Sequence, residues 1–230
     1  MKLTRNITFL FLSLMMGCAT ILLEGCATTD MERMPIMVEP YYNSDPLDIN
    51  VGKFSEKLMS DDPKDILGVA EDIKKEIGDT PLEALYVLAI RLFDLGEKSP
   101  AAYWFYNAQY RTKVLQALLK EQGLLDNVKM GDPLFEEMAA LNAFTELVGE
   151  HINKDLAHDP KEWVDIISQV QKDVQNLDLR ALMDDIPGMA NKILDEHPEV
   201  IQKINEGLNL MQQVINERAQ EFVNASRRQR

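Results

Sequence analysis

Across most of this chain, apolar side chains recur three and four positions apart, the spacing of one face of an α-helix, and no stretch alternates as a strand would. Ile66, Ala70, Ile73 and Ile77 stripe one predicted helix, and Leu134, Met138, Leu141, Val148 and Ile152 stripe another. Trp163, Ile166, Ile167, Val170, Val174 and Leu177 mark a third. Val200, Ile201, Ile204, Leu208, Met211, Ile215 and Phe222 mark a last helix, which at roughly 27 residues would run about 40 Å. Its apolar ridge is suited either to a dimer or to closing the bundle.

Prolines punctuate the pattern. Asp62-Pro63, Thr80-Pro81, Ser99-Pro100, Asp132-Pro133, Asp159-Pro160 and His197-Pro198 each stand before a periodic run. In all but the last, a side chain able to cap is followed by proline at the first helical position, where the missing N–H costs nothing. Thr80 with Glu83 and Asp159 with Glu162 are spaced as capping boxes. Gly78, Gly96 and Gly123 fall where helices should end, and Pro187-Gly188 divides residues 178–196 into two short helices. The expectation is an all-α helical bundle of about six to eight helices.

Within it, Leu85, Leu88, Ala89, Leu92, Gly96, Ala101, Phe105 and Ala108 follow a more specific spacing. Residues 82–108 resemble one tetratricopeptide repeat, and the run Ala101 to Tyr106 is similar to the related Sel1-like repeat. Small residues at 89, 101 and 108 would let two antiparallel helices approach, with Gly96 turning the chain. The closing proline of the repeat is replaced by Lys113, and no further copy follows near a 34-residue period. The pair is therefore expected as a single hairpin inside a larger bundle. Of the aromatic group Tyr103, Trp104, Phe105, Tyr106 and Tyr110, most should be core, with one or two left for partner contact.

The N-terminus has a different character. Lys2 and Arg5 precede an uncharged apolar stretch from Asn6 to Leu23, the pattern of a secretory signal. Leu23-Glu24-Gly25-Cys26 resembles the lipobox of bacterial lipoproteins, and Met15-Met16-Gly17-Cys18 is an alternative match. The resemblance implies that the cysteine thiol receives diacylglycerol, that the signal is cut just before it, and that the new N-terminus is acylated, with palmitate among the chains expected. Cys26 is favoured because a polar, acidic segment follows it at once. An uncleaved transmembrane anchor is the competing reading, since the uncharged stretch approaches spanning length. Ala27 lacks the aspartate that retains family members at the inner membrane, so the resemblance implies an outer-membrane anchor facing the periplasm. The expected organisation is a signal peptide at 1–25, a lipidated cysteine and flexible tether at 26–60, and an acidic all-α domain at 61–230.

Charge narrows the partners. The formal net charge is −14, which repels nucleic acid and anionic headgroups and favours another protein with a basic face. The basic end at Arg227, Arg228 and Arg230 is too short to reverse this. Both cysteines lie in the first 26 residues, so the body has neither a disulfide framework nor a thiolate metal site. It also carries no nucleophile elbow, phosphate-cradling loop or His-Glu-x-x-His motif. His151, Asp155 and His158 share a helical face, but His158 falls at a helix end, and the group reads as polar surface rather than a zinc site. His197 reads as a residue preceding a helix. The sequence thus predicts no enzyme, no catalytic residue, no metal and no cofactor, and it does not single out the partner-binding residues.

What remains is an envelope-anchored, non-enzymatic protein-binding lipoprotein. It is similar in type to immunity proteins that block toxin effectors such as phospholipases, where an acidic face would occlude a basic or catalytic one. The alternative is an assembly or scaffold lipoprotein of a secretion or pilus machine.

Overall fold

The computed structural model describes residues 49–174 and 198–227, and among them every regular element is helical. A short turn at Gly52–Phe54 leads into α1 (Ser55–Leu58), followed by α2 (Pro63–Lys75), α3 (Leu82–Asp94), α4 (Lys98–Glu121), α5 (Pro133–Leu156), α6 (Pro160–Asp173), α7 (Pro198–Glu217) and α8 (Ala219–Arg227). The protein is an all-α bundle within the expected range of helices.

The proline-marked starts divide into those that cap as expected and those that do not. Asp62 accepts the backbone N–H of Lys64 at 2.9 Å, and Asp159 accepts that of Glu162 at 3.0 Å. Asp132 turns backwards, accepting the N–H of Lys129 at 2.8 Å, while Glu136 accepts that of Gly131 at 3.0 Å. The box expected at Thr80 and Glu83 does not form. Pro81 itself holds the cap position of α3, Thr80 donates its hydroxyl to the Glu76 carbonyl, and Glu83 accepts the N–H of Asn50. At Ser99-Pro100 the helix has already begun at Lys98, and the Ser99 hydroxyl reaches across to the Glu162 carboxylate. His197 lies outside the described residues, as do the two short helices expected around Pro187-Gly188.

Gly96 and Gly123 end their helices as expected, with φ of +82° and +67°. In both, the glycine N–H bonds three residues back and the next N–H five residues back: Gly96 to Phe93 and Glu97 to Leu92, then Gly123 to Lys120 and Leu124 to Leu119. This paired closure satisfies carbonyls that a helix end leaves open. Gly78 instead sits in a short 3-10 turn, Ile77–Asp79, because α2 has already ended at Lys75.

The tight turn at Gly96 folds α4 back along α3, making the most extensive helix contact among the described residues. Ala89, Ala101, Phe105 and Ala108 are fully buried along this seam. Where the closing proline of the repeat would stand, Lys113 continues α4 to Glu121, so the second helix of the pair outruns the hairpin. Its length makes α4 the hub, packed on α3, α5, α6 and α7. On the far side of α3 lie α1 and α2. Tyr86 fastens this centre: its ring stacks on Phe144 with centroids 5.4 Å apart, and its hydroxyl meets Thr112 of α4 at 3.2 Å and Thr145 of α5 at 2.8 Å.

Two boundaries differ from expectation. The segment expected to be tether reaches into the body, since Phe54 and Leu58 are core residues and Arg91 donates to the Leu58 carbonyl at 3.1 Å. The last predicted helix is divided by one residue, Arg218, although N–H bonds from Arg218 to Val214 and from Phe222 to Arg218 carry through the junction. The ridge of α7 faces inward. Val200 and Ile215 are buried, and Ile204, Leu208 and Met211 pack on the core, so the ridge closes the bundle against α6 and α4. Outside it, Leu210 remains 60% exposed. No helix among the described residues is long and apolar enough to cross a membrane.

Candidate functional site

Two polar rows face each other across a groove. On α4, Tyr103, Asn107 and Arg111 recur every fourth residue, and on α6 so do Asp165, Gln169 and Asp173, so each trio lies along one helical face. Both rows line an open groove of about 970 Å³. Lys74 and Ile77 from the end of α2 complete one side, and Asp159, Lys161 and Glu162 stand at the start of α6.

A hydrogen-bonded chain runs along the floor. The Arg111 Nε donates to the Asn107 Oδ1 at 2.8 Å, the Asn107 amide donates to the Tyr103 hydroxyl at 3.5 Å, and that hydroxyl donates to Asp173 at 2.9 Å. Gln169 donates to both oxygens of the same carboxylate, at 3.0 and 2.9 Å. Burial, reinforced by the Asp173 charge, pushes the Tyr103 phenol up to about 12. Burial works the other way on Arg111, disfavouring its charged form and pushing the guanidinium down to about 10.

Arg111 is unusual in its pairing. Only 4% of the residue is exposed, yet among the described residues its Nε bond to Asn107 is its one hydrogen bond and it joins no ion pair. No enclosed side-chain nitrogen or oxygen among those residues lacks a partner. The two terminal nitrogens, which make no bond, are therefore the part of the side chain that opens onto the groove. The same groove is lined by four carboxylates, from Asp159, Glu162, Asp165 and Asp173, and by the ammonium groups of Lys74 and Lys161. Lys74 is already engaged by Glu71 at 2.7 Å.

Of the aromatic group, Trp104, Phe105, Tyr106 and Tyr110 are core, while Tyr103 is half-buried in the groove wall. His151 is exposed and meets the Phe93 ring edge-on at 6.1 Å. His158 lies in the turn after α5, and no group of three His, Cys, Asp or Glu side chains among the described residues is placed to hold a metal ion. Cys18 and Cys26 lie outside the described residues. Sequence reasoning missed Arg111, Asn107 and Asp173; the signal that carries them is the every-fourth-residue row of hydrogen-bonding side chains on each of two facing helices.

Fold and groove together define an all-α protein with a polar groove. No protein-family model matches the chain, and no curated protein or solved structure matches it.

Proposed function

We propose that this protein is an outer-membrane, lipid-anchored binding protein facing the periplasm, which works by occupying a partner protein rather than by chemistry. Among such proteins we read it as an immunity-type blocker of a toxin effector such as a phospholipase. The observation that carries the reading is the groove between α4 and α6, whose carboxylates ring a bound-sized space on a chain of net charge −14. A basic partner face would be drawn to it and oriented by it. Acylation at Cys26 would hold the blocker beside a lipid substrate, since several acyl chains make attachment effectively permanent. The scaffold alternative rests on the repeat-like hairpin, whose outer faces are taken by α1, α2 and α5.

Two measurements test this. Labelled palmitate should enter the wild-type chain and be lost from Cys26→Ser, or from the Cys18→Ser, Cys26→Ser double variant. The purified full chain should inhibit an effector encoded beside its gene, and charge reversal at Asp165 and Glu162 should weaken that inhibition. Absence of label would remove the anchor, and absence of inhibition by the labelled chain would remove the blocker.

A further inference from the structure

The groove carries two opposite demands. Its rim offers carboxylates, which call for cationic groups, whereas its floor offers two free guanidinium nitrogens at Arg111, which call for an anionic oxygen pair. A buried cation without a counter-charge is costly, and proteins that retain one ordinarily supply a partner. Here Asn107 and Tyr103 stand between Arg111 and Asp173, so the nearest acid in the chain of bonds is spent on the tyrosine. The Asn107 bond fixes the guanidinium by its Nε and leaves the two terminal nitrogens without a partner.

Resting on the reading of this groove as the binding face, we propose that it is a site for a peptide segment bearing both a carboxylate and basic side chains. The Arg111 guanidinium takes the carboxylate on the floor, and Glu162 and Asp165 take the basic side chains at the rim. A planar guanidinium fork matches a carboxylate in two parallel bonds. A phosphate dianion would meet the same fork but would carry a second charge toward four rim carboxylates, which disfavours it. The ligand is therefore amphoteric, and its carboxylate is as necessary as its positive charge.

The test uses the full chain in neutral detergent, titrated calorimetrically, with the Trp104 indole resonance reporting groove occupancy. The probes are Gly-Lys-Lys as free acid, the same tripeptide as amide, N-acetyl-Asp-Lys-Lys amide, and inorganic phosphate alone. The free acid should bind at least about tenfold more tightly than the amide, the margin expected of a charge-assisted pair. R111Q should remove that margin without changing the weak binding of the amide. D165N should weaken both peptides. If N-acetyl-Asp-Lys-Lys amide matches the free acid, the site accepts a side-chain carboxylate; if it matches the Gly-Lys-Lys amide, the site reads a chain terminus; both support the proposal. Should R111Q fail to fold, R111K keeps the charge but loses the fork, and at least a severalfold loss on the free acid alone is expected.

Equal affinity for acid and amide overturns the proposal, as does undiminished acid binding by R111Q or its substitute R111K, or phosphate binding as tightly as the peptide. So does failure of every peptide to bind. Inhibition of an effector by an R111Q chain that has lost the free-acid margin leaves the blocker reading standing and removes the carboxylate from its contact with that effector.

Discussion

The Trp163 indole donates to the Tyr106 hydroxyl at 2.6 Å, joining α6 to the hub helix α4. That hydroxyl in turn donates a hydrogen bond to the Asn153 Oδ1 of α5 at 2.7 Å. Three helices thus meet at one oxygen, and burial pushes the phenol well above its ordinary range. Tyr106→Phe keeps the ring but strands the indole N–H and the Asn153 carbonyl oxygen. Each stranded group costs on the order of 1–3 kcal/mol, so a loss of about 2 kcal/mol or more is expected in urea unfolding. An unchanged midpoint would show that water satisfies both groups.

Two glycines inside helices should respond in opposite directions to alanine. At Gly149 in α5, an added Cβ would stand 3.1 Å from Cζ of Phe105, a ring with no exposure and no room to yield. Gly68 in α2 has nothing within 4 Å of that position. Gly68→Ala should therefore stabilise by about 0.5–1 kcal/mol through helix propensity. Gly149→Ala should lose more than it gains, a net destabilisation of about 1 kcal/mol. Thermal unfolding of both variants gives the signs.

Alkali should weaken the fold through its buried phenols. Burial raises the Tyr86 and Tyr103 phenols from 10.0 to about 12, and Tyr106 and Tyr110 are raised too. A phenol with a raised folded pKa contributes stability fully below its unfolded value and loses it as pH climbs through the folded one. For Tyr86 this is on the order of 3 kcal/mol, gone by about pH 12. Arg111, with its folded pKa lowered to about 10, opposes the trend, because its buried charge is relieved above that pH. Four phenols outweigh one guanidinium, so unfolding free energy should fall steadily above pH 10. Phenolate absorbance should appear late and together with loss of helix.

The N-terminal edge of the body is tested by where a shortened chain starts. One beginning at Ile49 keeps Phe54 and Leu58, which are almost wholly buried, together with the Asn50 contact to Glu83. One beginning at residue 61 loses them. Burial of two such side chains contributes roughly 1.5–3 kcal/mol each, so the shorter chain should be less stable by about 4 kcal/mol in urea unfolding. Equal stability would return residues 49–60 to the tether.

Much of the bundle was legible because helix starts and stops are written locally. Asp62 and Asp159 cap through bonds spanning two or three residues, and Gly96 and Gly123 close helices through bonds spanning three to five. Thr80 misled because its capping partner was drawn to a distant donor: Glu83 turned to the Asn50 N–H, a partner 33 positions away, which no local pattern announces. Phe54 and Leu58 were hidden by a neighbourhood of Pro, Asp and Asn that reads as tether. Arg111 was hidden for a related reason. A lone arginine in a helix ordinarily lies in water, and only the packing of α6 against α4 encloses this one.

The enclosure of α3 bears on how the protein reaches its place. Every residue from Leu82 to Leu92 is buried, which puts this segment in the longest unbroken buried run among the described residues. Yet its 13 residues rise only about 20 Å, against a hydrocarbon layer of about 30 Å, and Glu83 and Arg91 set an ionisable group near each end. On the lipoprotein reading the polypeptide is threaded unfolded through the inner bilayer, where a longer helix of this composition would lodge as a stop. On that reading, brevity would let the same residues pass through the inner bilayer and then form the centre of the folded body.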